Sequence, residues 1–383
     1  MIEGMRADFH IYINRPSPSL MRRARDLFEL KPAVSAPFGD VKYPPTVVWT
    51  LDDDYHWVHP LNQSFLHNGY QLPDGTQLKI GDKVQVPVKG DKVETLWEAG
   101  KYYGLHLFDP EQNARNIAEM DRLLKASAGV HYTSRRLMDS YIESCGIESG
   151  YVYPNCLIFD DYFTLLDTTF SRATDNVRVL WQGGASHFAD LYPIRESLIR
   201  LCRRHPNLQI VVWGQLFQWI TQEIPDTQFR WIPWVSYECY KQLYSMLDYD
   251  FALAPLLPDR FNAAKSCIKV YEAAATPVPR PTLASRVAPY TDEFTDGENI
   301  VFYDPRDPAE FEERFEQLMQ DWELRRRIAR GAADWIHEHR DARKEALKLW
   351  EWLQERREKR WDSNPGLADL VASVKATKFA RGS

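Results

Sequence analysis

From residue 177 onward, short apolar runs alternate with stretches whose apolar positions recur every three or four residues. The runs are VRVLW (177–181), LQIVVWG (208–214), DYDFALAP (248–255) and PTLAS (281–285). Such near-continuous hydrophobicity marks strands of a parallel sheet covered on both faces. Between them, 192–204 sets Ile194, Leu198 and Leu201 on one side and arginines on the other, and 237–247 spaces Tyr240, Leu243, Tyr244 and Leu247 as a helix would. Strand, helix and strand repeated in this way predict a doubly wound α/β domain over 175–340.

The same rhythm is weaker ahead of it. ADFHIYI (7–13), TVVWTL (46–51), YGLHLF (103–108) and GVHYTS (129–134) read as strands, and 18–30, 110–126 and 134–145 read as helices. They predict a second Rossmann-like domain over 1–160. The polar stretch 69–91 alternates around DG and GD turns, the signature of a β-hairpin insertion; it is either an acceptor-facing flap or a surface hairpin. Residues 154–176 form the expected inter-domain connection. Helical spacing resumes beyond Pro308, to 320, over 322–337 and over 342–360. Within 341–383 we expect a helix and tail, a candidate to cross back to the N-terminal domain.

A chain of 383 residues suits two domains of ordinary size. With 44% hydrophobic residues, 13 Trp and 19 Tyr, there is ample apolar surface for cores and aromatic surface left for recognition. The formal charge of -7 disfavours a broad basic face, although RRARDLF (22–28) and SRR (134–136) are locally basic. No run approaches the ~20 apolar residues that span a bilayer, and the first residues lack the order of a signal peptide, so no integral membrane segment and a cytoplasmic location are expected. The five cysteines are scattered without a C-x-x-C pair, which argues for buried thiols rather than disulfides or a structural zinc site.

The sharpest chemical signal lies in 248–275. Lys265, Lys269 and Glu272 fall at the start of a helix that follows a strand and a loop. Lysines there face a diphosphate seated at the carboxyl ends of the strands, and the helix N-terminus adds partial positive charge. A carboxylate further along accepts hydrogen bonds from ribose hydroxyls. In WQGGASHFADL (181–191), Gly183 and Gly184 let the backbone approach a phosphate or sugar closely. Ser186, His187 and Asp190 follow. In the third segment, 46–62, Asp52, Asp53 and Asp54 suggest either a metal site or cleft residues with a capping role; because neighbours on an extended chain diverge, the second reading is preferred. His56 and His59 are cleft candidates that individually read better as structural histidines. Each lysine or glutamate alone reads as a solvated side chain, and only the joint spacing lifts the assignment.

That spacing resembles the donor-site helix of the retaining GT-B glycosyltransferases of the group 1 type, in the subgroup with F-N-x-x-K-S-x-x-K-x-x-E. Phe261, Asn262, Lys265, Ser266, Lys269, Glu272 and Ala275 fit it, and Ala284 with Ser285 close it. Ser186, His187 and Asp190 are similar to the subgroup's S-H-x-x-D-L, and the D-D-D loop is similar to its N-terminal acidic loop. The resemblance implies a GT-B fold, two Rossmann-like doubly wound domains facing a central cleft. It implies transfer, with retention, from a UDP- or GDP-type nucleoside-diphosphate sugar to an acceptor hydroxyl, without cofactor or metal. Lys265, Lys269, Asp53 and His187 are then the expected catalytic groups, and Gly183, Gly184, Ser186, Asn262, Ser266 and Glu272 the donor-binding ones. The acceptor stays open between a glycan, a lipid-linked sugar and a hydroxylated base of DNA. An epimerase-type GT-B protein and a non-catalytic sugar-nucleotide binder are the competing classes. Two departures stand out: Ala264 occupies the place of a second glutamate, and TPVPRP (276–281) replaces a Gly-x-Pro turn, so the helix should stop near Ala275 or Thr276.

Overall fold

The computed structural model describes residues 10–14, 46–60, 62, 68–72, 74–85, 93–103, 106–147, 150–159 and 175–358. The helix expected over 18–30, most of the connection and the tail beyond 358 lie outside these residues.

In the N-terminal part, β1 (His10–Asn14) and β2 (Thr46–Leu51) are followed by three small antiparallel pairs: β3 (Tyr70–Gln71) with β4 (Gln77–Leu78), β5 (Lys83–Gln85) with β6 (Val93–Thr95), and β7 (Tyr102–Tyr103) with β8 (His106–Leu107). Then come β9 (Gly129–Tyr132) and β10 (Gly150–Val152), and the parallel sheet runs β1-β2-β9-β10. The expectation of a sheet strand over 103–108 is therefore corrected. This stretch folds back on itself and buries Phe108 with Tyr70, Leu78, Leu96 and Trp97 in a satellite core. Phe108 serves that local cluster and Leu107 is exposed, so neither reaches the parallel sheet.

The C-terminal sheet contains β11 (Val177–Gly183), β12 (Leu208–Gly214), β13 (Phe229–Ile232), β14 (Phe251–Ala254), β15 (Thr282–Ser285) and β16 (Val301–Tyr303). Its order is β13-β12-β11-β14-β15-β16, all parallel. Successive side chains of one run enter opposite cores. Val179, Trp181, Ile210 and Val212 pack on one face, while Leu180, Val211, Trp213 and Ala252 pack on the other. That is why these strands read as continuous apolar text.

Helices cover both faces and start where the sequence supplies caps. Asp109, Ser134, Asp307 and Asp321 each accept a backbone N–H in the first turn of the helices Pro110–Ala126, Arg135–Cys145, Pro308–Gln320 and Trp322–His339. The helix Ile268–Ala275 ends at Thr276, extended ahead of a proline as the sequence requires. The helix Ala342–Glu358 lays Trp352 and Leu353 against Val48 of the N-terminal sheet, with Trp352 stacked on Tyr151 at 5.1 Å. Among the described residues no helix is long and apolar enough to cross a membrane.

Candidate active site

Strand order reverses between β11 and β14, where chain connections leave in opposite directions and open a crevice at the carboxyl ends of the strands. The two loops flanking that crevice are 184–187, after β11, and 255–267, after β14. They carry most of the residues singled out by sequence.

Asp190 ties the two loops together. Its buried carboxylate accepts from Leu257 N at 3.0 Å and Asn262 Nδ2 at 2.7 Å through Oδ1, and pairs with His187 Nδ1 at 2.9 Å through Oδ2. Burial pushes the Asp190 carboxyl upward, but the His187 and Leu257 contacts outweigh it and hold it below the usual range. On the other side of the imidazole, His187 Nε2 lies 3.1 Å from Lys269 Nζ. An ammonium only donates, so Nε2 accepts and Nδ1 carries the proton to Asp190. Burial and the adjacent Lys269 charge press His187 down to about 4, leaving it neutral at physiological pH. Lys269 itself is brought down to about 8, chiefly by burial and then by Lys265 against the pull of Asp190.

Lys265 precedes the helix Ile268–Ala275 rather than opening it. It sits after the short helix Arg260–Ala263, with Nζ 3.0 Å from Asp53 Oδ1 of the loop after β2. Burial lowers its basicity, yet Asp53 and Asp190 override that and hold the ammonium above its ordinary value. Asp54 points the other way, accepting from Ser140 Oγ and from His56 N at 3.2 Å, so it caps a turn, not a helix.

Glu272 receives Gln182 Nε2 and the Tyr240 hydroxyl, each at 2.9 Å. Ser266 Oγ accepts from Asn155 Nδ2 at 2.7 Å. Asn262 is 2% exposed, and its amide N–H groups are committed to Asp190 and to Leu257 O, which makes it a brace of the loop. Ser186 and Gly184 lie at the mouth of the crevice beside Trp234, whose side chain is 63% exposed.

Gly214, at the end of β12, adopts φ 103, and a Cβ there would stand 2.7 Å from Gly183 O and 3.0 Å from the Trp234 ring. Only glycine suits that position. Trp231 donates Nε1–H to Gly214 O at 2.9 Å and shares the rim with Trp234. Sequence reasoning missed Gln182, Tyr240, Gly214 and Trp234. The one signal available for the last was the W-x-x-W spacing just past an apolar strand.

The absent glutamate has a structural correlate. Ala264 is 3% exposed and, with Phe261, packs in the core of the N-terminal sheet. Its carbonyl accepts from Ser134 Oγ at 2.7 Å. A carboxylate at this position would enter that apolar cluster. Neighbouring contacts reinforce the junction: Arg260 donates to Ser140 Oγ and to Glu143 at 2.6 Å, and Tyr70 donates its hydroxyl to Asp259 Oδ2 at 2.8 Å.

Residues 195–350 match a family model described as "Glycosyl transferase-like". The fold aligns with a sucrose-phosphate synthase from Thermosynechococcus elongatus at 12% identity and TM-score 0.53, over 90% of this chain and 73% of that one. It aligns with Anabaena HepE, solved with UDP and glucose, at 13% identity and TM-score 0.55, over 90% and 78%. An α,α-trehalose-phosphate synthase (UDP-forming) from Burkholderia vietnamiensis aligns at 11% identity and TM-score 0.53, over 91% and 71%. No curated protein matches the sequence. These likenesses give the chain the GT-B fold, with a glycosyl transferase-like sequence in its C-terminal part.

Proposed function

We propose that this GT-B protein transfers a sugar from a nucleoside-diphosphate sugar to an acceptor hydroxyl, with the donor seated at the crevice between β11 and β14. The carrying observation is the convergence of two ammonium groups, Lys265 and Lys269, with the Gly183–Gly184 turn and the Glu272 carboxylate around one topological switch point. Anion, sugar and ribose each meet a matching group there.

In this reading the diphosphate lies between Lys265 and Lys269. As the bond from the anomeric carbon to the diphosphate oxygen breaks, the electron pair stays on that oxygen, and fixed cations stabilise the growing charge more than the ground state. Neutral His187 holds Lys269 in place, itself oriented by Asp190. Glu272 exchanges Gln182 and Tyr240 for the ribose hydroxyls, and the base rests on the exposed indole of Trp234. Asp53 turns from Lys265 toward the acceptor. With two lysines handling the diphosphate, the transfer step uses no divalent ion, and retention follows from the sequence resemblance. HepE was solved with UDP and the Burkholderia synthase is UDP-forming, which favours UDP as donor base. A glycan hydroxyl is the preferred acceptor, since the net charge of -7 works against a DNA duplex.

The test is a thermal-shift screen against UDP, GDP, ADP, dTDP and CMP without added metal. One diphosphate should raise the melting temperature in the wild type, because ligand bound only by the folded state stabilises it. That shift should vanish in Lys265→Ala and Lys269→Ala. A flat wild-type response to every nucleotide would overturn the proposal.

A further inference from the structure

Three residues remote in sequence converge behind the acidic loop. His56 Nε2 lies 2.9 Å from Asp121 Oδ1 and 3.3 Å from Cys145 Sγ, and that sulfur lies 3.2 Å from the same Asp121 oxygen. His56 follows β2, Asp121 comes from the helix Pro110–Ala126, and Cys145 closes the helix Arg135–Cys145. One imidazole nitrogen, one carboxylate and one thiol thus point at a common centre, their ligand atoms within 4.8 Å of one another.

We propose that this triad binds a transition-metal ion of zinc's softness, through Cys145 Sγ, His56 Nε2 and Asp121, with water as the fourth ligand. The donor set of sulfur, nitrogen and oxygen is the one such an ion prefers, whereas Mg2+ and Ca2+ take oxygen alone. Zinc bonds of about 2.3 Å to sulfur and 2.0–2.2 Å to nitrogen and oxygen, at tetrahedral angles, place the ligand atoms roughly 3.3–3.6 Å apart. The observed separations are a few tenths shorter, so small side-chain rotations admit the ion.

The surroundings are those of a metal site. His56 and Cys145 are 2% and 5% exposed, while the Asp121 side chain is 26% exposed and supplies the entry path and room for the water. Behind the imidazole, Asp54 Oδ1 stands 3.7 Å from His56 Nδ1 and is anchored by Ser140. A carboxylate in that position orients a ligating histidine and raises its basicity. Because Asp53 faces Lys265 while Asp54 faces the triad, the ion would fix the loop that presents Asp53, and it takes no part in the transfer step. Binding releases two protons, that of the Cys145 thiol and the one His56 Nε2 holds toward Asp121.

The experiment uses the full chain produced in zinc-supplemented medium and desalted, with metal content read by atomic spectroscopy and the site then refilled with Co2+. One zinc per chain and a near-ultraviolet thiolate-to-cobalt absorption are expected. Cys145→Ser should lose both, whereas Cys239→Ser, which removes an exposed thiol, should keep both. Asp121→Asn, altered at the exposed edge, serves if Cys145→Ser fails to fold and should bind zinc more weakly. Asp54→Asn should weaken zinc binding about 10–100-fold while leaving the cobalt absorption in place. Zinc absent from the wild type, or retained equally by Cys145→Ser or by Asp121→Asn, overturns the site whether or not a nucleotide binds.

Discussion

Lys265 Nζ and Asp53 Oδ1, 212 positions apart in the sequence, meet at 3.0 Å across the two sheets' junction, with the ammonium 4.3 Å above the Phe261 ring. In the proposed reading an incoming diphosphate and Asp53 compete for this one cation. Asp53→Asn is therefore expected to tighten nucleoside diphosphate binding by roughly 0.5–1 kcal/mol, the scale of a partly solvated ion pair, while lowering turnover. Calorimetric titration decides it: weaker binding would mean that Asp53 steers Lys265 toward the ligand instead of competing with it.

Lys269 gives the pH dependence. With its ammonium held down at about 8, chiefly by burial, it is the first cation of the crevice to discharge as pH rises. Nucleotide affinity should fall as pH climbs through 8, and the fall should flatten in Lys269→Arg, which stays charged. Stability moves oppositely. Between about pH 8 and 10.5 the unfolded chain binds this proton and the folded one does not, so the unliganded protein gains stability from this group as pH rises. Affinity rising with pH over that window would count against the assignment.

Glu272 accepts from Gln182 and Tyr240 at 2.9 Å and is expected to exchange them for ribose hydroxyls. Glu272→Gln should cost UDP about 1.5–3 kcal/mol of binding, the worth of hydrogen bonds to a charged acceptor. The 2′,3′-dideoxy analogue should lose little. Equal losses for both would place the carboxylate away from the sugar.

Trp234 stands exposed over Gly184 and Gly214. Replacement by alanine should remove about 1–3 kcal/mol of nucleotide affinity, the range of a base on an aromatic platform, and leave binding of inorganic diphosphate unchanged. Parallel loss of inorganic diphosphate would assign Trp234 a role in loop shape alone.

Trp352 tests how the last helix is fastened. It stacks on Tyr151 and lies where a Cβ on Gly129 would come within 2.7 Å of its ring. Trp352→Ala should destabilise the chain by about 3–5 kcal/mol in urea unfolding through the cavity it leaves, and Gly129→Ala by about 1–3 kcal/mol through collision of its Cβ with the Trp352 ring. Near-neutral outcomes for both would mean that this helix is weakly held.

How much of this was legible depends on where each contact partner sits in the chain. Four of the six C-terminal strands were readable because burial on both faces writes a continuous apolar run in each, whereas the edge strand β13 leaves Arg230 and Trp231 exposed. The spacing of Lys265, Lys269 and Glu272 was readable because one helix and its approach fix it. YGLHLF misled because six residues do not reveal whether their apolar side chains serve the main sheet or the satellite core that holds Phe108. The sequence offers Asn262 as a ligand group, and the fold gives its amide a bond to Asp190, a pairing between separate loops that local text cannot announce. The triad of His56, Asp121 and Cys145 was invisible for the same reason, since each member belongs to a different element.

The burial of Phe261 and Ala264 in the core of the N-terminal sheet makes the loop after β14 a stopper between the two sheets. Any separation of the two lobes would have to uncover Phe261, at roughly 1.5–3 kcal/mol for a side chain of that kind, which would bias the shut form by about ten- to a hundredfold. If the chain transfers a sugar as proposed, spent nucleotide would leave at the pace of this uncorking rather than of bond breaking, and the apolar seat would set the clock of the cycle.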